Sequence, residues 1–166
     1  MDKSVMARCI GTKQINAYPM TRIDYNILRG WSLPDDENGE DEGYIVEYRD
    51  GGAPNHPNFA GYISWSPKDV FERSYQPFSK MTFGHAIELL KEGRRITRAG
   101  WNGKGMWLYY VPAAVYKAQT PAARGQFGEN VPYRAYIAMK TVDNDVVPWL
   151  ASQSDVLAED WMVVED

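Results

Sequence analysis

The link Tyr75-Gln76-Pro77-Phe78-Ser79 restricts the folding of these 166 residues more than any other segment. Proline fixes its own φ, lacks an N–H and pushes the residue before it away from helical geometry, so no helix runs through the link. A clean helix signal follows at once. Thr82 is a good N-cap, Phe83, Ala86, Ile87 and Leu90 recur at helical spacing, and Gly93 can close the last turn in a left-handed conformation. This predicts a helix over about Phe83 to Glu92, and two modules, residues 1–78 and 79–166.

Both modules read as α+β: small antiparallel sheets with short helices. In the first, Gln14 to Tyr18, Tyr44 to Tyr48 and Gly61 to Trp65 are strands. Thr21-Arg22-Ile23-Asp24 starts a helix with Ile23, Ile27 and Leu28 on one face, Leu33 to Gly43 is an acidic loop, and Pro67 takes the first position of a last helix. In the second, Arg94 to Arg98 and Met106 to Val111 are strands. Val115 to Val131, with Pro121, Gly125 and Gly128, reads as a mobile loop. Tyr136 to Thr141 and Val146 to Trp149 flank the turn Asp143-Asn144-Asp145, Ser152 or Ser154 caps a short helix to about Glu159, and Trp161 to Val164 closes the sheet.

Charge separates the modules further. Residues 1–78 hold 8 bases and 12 acids, net −4; residues 79–166 hold 10 of each. The acids of the second module crowd into its last 13 residues, which leaves Ser79 to Gln153 with 10 bases against 5 acids. A local basic body can receive a small anion, whereas the overall −4 argues against broad binding to duplex nucleic acid. No apolar run nears the ~20 residues of a membrane span. Met1 to Met6 lacks the basic start and apolar core of a secretion signal. Cys9 is the only cysteine, so no internal disulfide framework or cysteine zinc cluster is possible.

Motifs for catalysis are missing. His56 lies in an Asn-His-Pro loop and His85 in the first turns of a helix, with no H-x-H, H-D or H-x-x-x-H pair. There is no phosphate-binding P-loop, no G-x-S-x-G and no dinucleotide fingerprint after a strand. No metal or cofactor is expected, and no enzymatic activity. Binding chemistry is better represented. Gly100-Trp101-Asn102-Gly103-Lys104-Gly105 joins backbone that can approach a ligand closely, a flat stacking face, an amide that donates and accepts, and a positive charge. The same residues also suit a tight turn with Trp101 in the core. Pro148-Trp149-Leu150-Ala151-Ser152-Gln153-Ser154-Asp155 places polar donors at a helix start behind a second indole, while Asp155 is equally ordinary first-turn chemistry. Trp107, Tyr109 and Tyr136 either complete a stacking wall or fill the sheet core.

Four blocks in this order carry a resemblance: Met81-Thr82-Phe83-Gly84-His85-Ala86, Gly100 to Lys104, Tyr136 to Lys140, and Val147 to Trp161. Over about Lys80 to Glu165 the chain resembles the phage Thoeris anti-defence proteins of the second type. The resemblance implies a sponge that binds the cyclic ADP-ribose signals of bacterial TIR enzymes, glycocyclic ADP-ribose among them, and holds them without cleavage in the cytoplasm of the infected host. It implies a homo-oligomer, tetramer or dimer, with pockets between protomers, and a second site for cyclic dinucleotides. No membrane or nucleic-acid partner is implied. Carried onto this chain, the ligand-binding candidates are Trp101, Asn102, Gly103 and Lys104 in the first block, and Trp149, Ser152, Gln153 and Asp155 in the last. Trp107 and Tyr109 are candidates for a stacking wall, and Arg98, with Arg94, Arg95 and Lys104, is a candidate phosphate partner. A nucleotide hydrolase and a phage structural or single-stranded nucleic-acid-binding protein are the alternatives. Residues 1–78 depart from short family members and resemble an accessory domain of small phage proteins, with an added interface, a pocket cover or an extra ligand site as its open roles.

Overall fold

The computed structural model describes residue 7 and residues 9–165; the Met1 to Met6 stretch and the terminal Asp166 lie outside the described residues. The chain divides into two compact units, one ending at Gln76 and one beginning at Pro77. Both are α+β. No helix among the described residues is long and apolar enough to cross a membrane.

The first unit runs β1 (Asn16–Pro19), α1 (Arg22–Arg29), β2 (Gly43–Tyr48), β3 (Tyr62–Pro67) and α2 (Lys68–Ser74). Its antiparallel sheet has the order β1-β2-β3. Register sets Tyr18, Ile45 and Trp65 side by side, and α1 covers that face, with Tyr25 buried on Ile45 and Ile63. On the opposite face Val46 is sealed and Tyr44 stacks on Phe71 of α2 at 4.0 Å. Tyr25 and Asn26 take the inward face of α1, with the Asn26 amide donating to the Ser32 carbonyl, and Ile27 is exposed. One sequence expectation fails here. Pro67 is the last residue of β3, with extended ψ 146°; α2 starts one residue later, where the Lys68 N–H reaches the Glu42 carbonyl.

The second unit runs α3 (Phe83–Lys91), β4 (Ile96–Arg98), β5 (Trp107–Val111), β6 (Ala114–Lys117), α4 (Pro121–Phe127), β7 (Asn130–Tyr133), β8 (Tyr136–Lys140), β9 (Val146–Pro148), α5 (Gln153–Val156) and β10 (Trp161–Val163). Five strands form one antiparallel sheet in the order β10-β4-β5-β8-β9, and β6 pairs with β7 separately. The segment expected as a mobile loop, Val115 to Val131, is therefore ordered as two strands and a helix. Its breakers mark boundaries. Pro121 stands in the first helical turn, where a missing N–H costs nothing, Thr120 caps the Ala123 N–H, and Gly128 closes α4 at φ 76°.

Strand alternation gives the large sheet two different faces. On the near face Ile96, Leu108, Trp161 and Val163 are buried together with Met81, Ala86, Leu89 and Leu90 beneath α3. Each such side chain is worth roughly 1.5–3 kcal/mol on burial. On the far face Trp107 lies opposite Lys140, and Tyr109 opposite Ala138. Asn144 adopts φ 69° in the β8–β9 hairpin turn, a conformation Asn tolerates better than most residues.

Candidate functional site

The site is built outward from α5. Ser152 is its N-cap and Asp155 its third residue, so the two form a capping box: the Asp155 N–H donates to Ser152 Oγ at 3.2 Å, and the Ser152 N–H to Asp155 Oδ2 at 3.1 Å. The Ser152 hydroxyl adds a 2.6 Å bond to the same Oδ2. Held this way, Asp155 Oδ1 accepts from Arg98 Nη1 at 2.8 Å and from the Trp101 indole Nε1 at 3.1 Å. The Asp155 main-chain carbonyl takes a second indole, Trp161 Nε1, at 3.0 Å.

Arg98 bridges two carboxylates. Its Nε donates to Asp160 Oδ1 at 2.8 Å, and its guanidinium lies 5.7 Å from the centre of the Trp161 ring. Asp160 Oδ2 also accepts the Gly100 N–H at 2.7 Å. Glycine is required there, since a Cβ would stand 2.8 Å from that oxygen. Burial pushes the Asp155 carboxyl up, but the Ser152 hydroxyl, the Arg98 guanidinium and the Trp101 indole outweigh it and bring its pKa down to about 2. The Arg98 bond likewise lowers Asp160, and the Asp160 bond raises Arg98. The triad is therefore ionised at neutral pH, with one positive and two negative charges.

Four aromatic rings gather over this triad. Trp161 is sealed. Trp101 meets it edge to face at 5.6 Å and 78°, Trp149 does so at 6.0 Å and 84°, and Phe83 tilts on it at 5.3 Å. Trp101 and Trp149 lie 6.2 Å apart, both half-buried, so each keeps part of its ring open. Neither belongs to the two clefts we identify, one of about 260 Å³ lined by Met20, Tyr44 and Lys68 and one of about 140 Å³ lined by Ile87, Tyr110 and Ile137.

The structure brings together five of the eleven residues proposed from sequence. Trp101, Trp149, Ser152, Asp155 and Arg98 meet as described. Asn102 and Lys104 are exposed on the loop after Trp101, with no side-chain partner within the chain, and Gln153 is exposed on α5. Gly103 packs against its neighbours, since a Cβ would meet Val142 and Met106 inside 3 Å. The Gly100 N–H, read from sequence as free to meet a ligand, is spent on Asp160. Trp107 and Tyr109 pair 5.5 Å apart on the far face, with Arg95 over the Trp107 ring, and so do not adjoin Trp101 and Trp149. Sequence reasoning missed Asp160, Trp161 and Phe83. The sequence left the α5 cap as Ser152 or Ser154, and nothing local marked Arg98 and Asp155, 57 positions apart, as a contact. Among the described residues, no group of three His, Cys, Asp or Glu side chains is placed to hold a metal ion.

Comparison with known proteins falls on this unit. A family model of the Tad2-like, or Thoeris anti-defense 2-like, domain matches residues 81–164. The protein named Thoeris anti-defense 2 of Bacillus phage SP01 is 40% identical over 86 residues, which covers 52% of this chain and 97% of that protein. The matched span contains α3, the whole five-stranded sheet, α5 and every residue of the aromatic and charged site. With a fold and a site that both lie inside the match, the chain belongs to the Tad2-like family of Thoeris anti-defence domains.

Proposed function

We propose that the second unit is a sponge for cyclic ADP-ribose immune signals, glycocyclic ADP-ribose among them, and that it holds the signal intact so that the Thoeris effector stays inactive. One observation carries this reading: two half-open indoles, Trp101 and Trp149, rest on a sealed third beside a loop whose Asn102 and Lys104 are unspent. In this reading the indoles stack on the purine, Asn102 bonds the base edge or ribose, and Lys104 meets the phosphates. Ser152 and Gln153 supply rim donors. Arg98 is tied to two carboxylates, and the triad's net negative charge turns the phosphates toward Lys104. The same pairing supports sequestration rather than turnover, since neither carboxylate is poised to move a proton.

A stacked base contributes ~1–3 kcal/mol and each charge-assisted hydrogen bond ~1.5–3 kcal/mol, against about 8 kcal/mol for micromolar binding. One open wall falls short of the roughly 70–90% ligand burial common in small-molecule sites. A second copy, in a dimer or tetramer, supplies the opposite wall, and the exposed Leu150, Val156 and Leu157 around α5 are the surface it would cover. The protein acts where the signal is made, in the cytoplasm of the infected cell. Calorimetry with glycocyclic ADP-ribose, followed by denaturation and chromatography, tests the proposal. Tight binding with recovery of intact nucleotide is expected; recovery of a cleaved product would establish a hydrolase.

A second reading concerns the far face. Trp107 and Tyr109 with the Arg95 guanidinium form a separate stacking group, which suits a second nucleotide of the cyclic dinucleotide class. Competition calorimetry decides it, since a dinucleotide at its own site leaves cyclic ADP-ribose binding in place.

A further inference from the structure

We infer that Asp155 is a positioning residue for signal capture, which fixes the plane of the Trp101 ring before any ligand arrives and does not itself touch the ligand. The inference rests on the sponge reading above and deepens it. A carboxylate offers about four lone-pair positions, and all four of Asp155 are filled within the chain: Arg98 Nη1 and Trp101 Nε1 on Oδ1, and the Ser152 N–H and hydroxyl on Oδ2. Nothing remains for a ligand. The carboxylate is also immobile. The capping box fixes it to α5, Arg98 fixes it to β4, and its own main-chain carbonyl carries the sealed Trp161.

Trp101 gains most from this arrangement. It stands on a Gly-rich loop and is only half-buried, packed on one side against Trp149 and Trp161. The Nε1–H bond to Asp155 and the edge contact with Trp161 together hold one rotamer. Ordering a side chain on binding weakens affinity, and a ring ordered in advance avoids that cost.

Two variants and one spectroscopic signal test this on the full chain. Trp101→Phe keeps an aromatic face but loses the N–H donor together with one ring of the indole, so the exchange rate of the Trp101 N–H separates lost positioning from lost stacking area. Asp155→Asn keeps the shape but must turn its amide nitrogen toward a pair of donors, either Arg98 and Trp101 or the Ser152 N–H and hydroxyl. With glycocyclic ADP-ribose as titrant, each variant is expected to bind roughly three- to tenfold more weakly than the parent, and the double variant no more weakly than the poorer single one, because both remove the same contact. The Trp101 indole N–H, assigned by its loss in Trp101→Phe, is expected to exchange slowly with solvent in the ligand-free parent. A Trp101→Phe protein that binds as tightly as the parent, or a Trp101 N–H that exchanges as fast as in free tryptophan, overturns the positioning role and leaves the sponge standing. Failure of the parent to bind removes both. Should Asp155→Asn not fold, Trp101→Phe and the exchange rate suffice to decide.

Discussion

The near and far faces of the five-stranded sheet both carry tryptophan, yet they hold it by different means. On the near face, Trp101 and Trp161 each donate an indole N–H to Asp155, one to its side chain and one to its main chain. On the far face, Trp107 is placed by strand alternation, with Tyr109 two residues along and Arg95 over its ring. A directional bond fixes a ring's rotation, whereas alternation fixes only the side of the sheet on which it lies. The near face therefore combines a sealed, polar-anchored base with an open upper surface, which is what a pre-organised binding site requires.

The strongest way to break this contrast is to remove the anchor itself. Trp161→Ala is expected to cost about 3–5 kcal/mol, because the ring is fully buried and also loses its bond to Asp155. Chemical denaturation of the full chain measures it, and a cost below about 1 kcal/mol would mean the near face is not anchored as described. Next is Trp101→Ala. Its ring is half-open, so the expected loss lies in binding, by about 1–3 kcal/mol of stacking, with the protein still folded by circular dichroism. Unfolding of that variant would make Trp101 a core residue and sink the site.

Acid sharpens the contrast further. The folded Asp155 carboxyl lies at about 2, below the usual value of 3.8, so its contribution to stability is fully present above the unfolded value and is lost as pH falls toward 2. The whole step is about 2 kcal/mol. Asp160, lowered by Arg98, adds in the same direction. Denaturation series between pH 6 and pH 2 should show the parent losing this increment and Asp155→Asn losing less. The smallest effect is reserved for the far face. Trp107→Ala is expected to weaken cyclic dinucleotide binding by about 1 kcal/mol and cyclic ADP-ribose binding by less. Equal losses of both nucleotides would mean that the two faces serve one site.

Much of the fold was legible because it rests on local rules. Thr82 and the Phe83-Ala86-Ile87-Leu90 spacing mark α3, an aromatic-rich run marks β5, and a capping serine, Ser152 or Ser154, marks α5. The failures were also local in origin. Pro121 and Gly128 read as loop breakers because a breaker at the end of a helix and one inside a loop are the same residue. Spacing put Ile23, Ile27 and Leu28 on one face of α1, but spacing does not say which of two adjoining faces turns inward, and it is Tyr25 and Asn26 that are buried.

The sequence by itself determined the division near Pro77, the α+β class, the order of short strands and helices, and the residue types able to stack on a purine. Only the tertiary structure decided that Trp101 and Trp149 meet over Trp161 while Trp107 and Tyr109 face the other way, and that Arg98 pairs with both Asp155 and Asp160 beside the rings. The reason is physical: an element's own pattern sets its geometry within a few residues, whereas a contact across 57 residues depends on register and packing, which arise only when the strands pair.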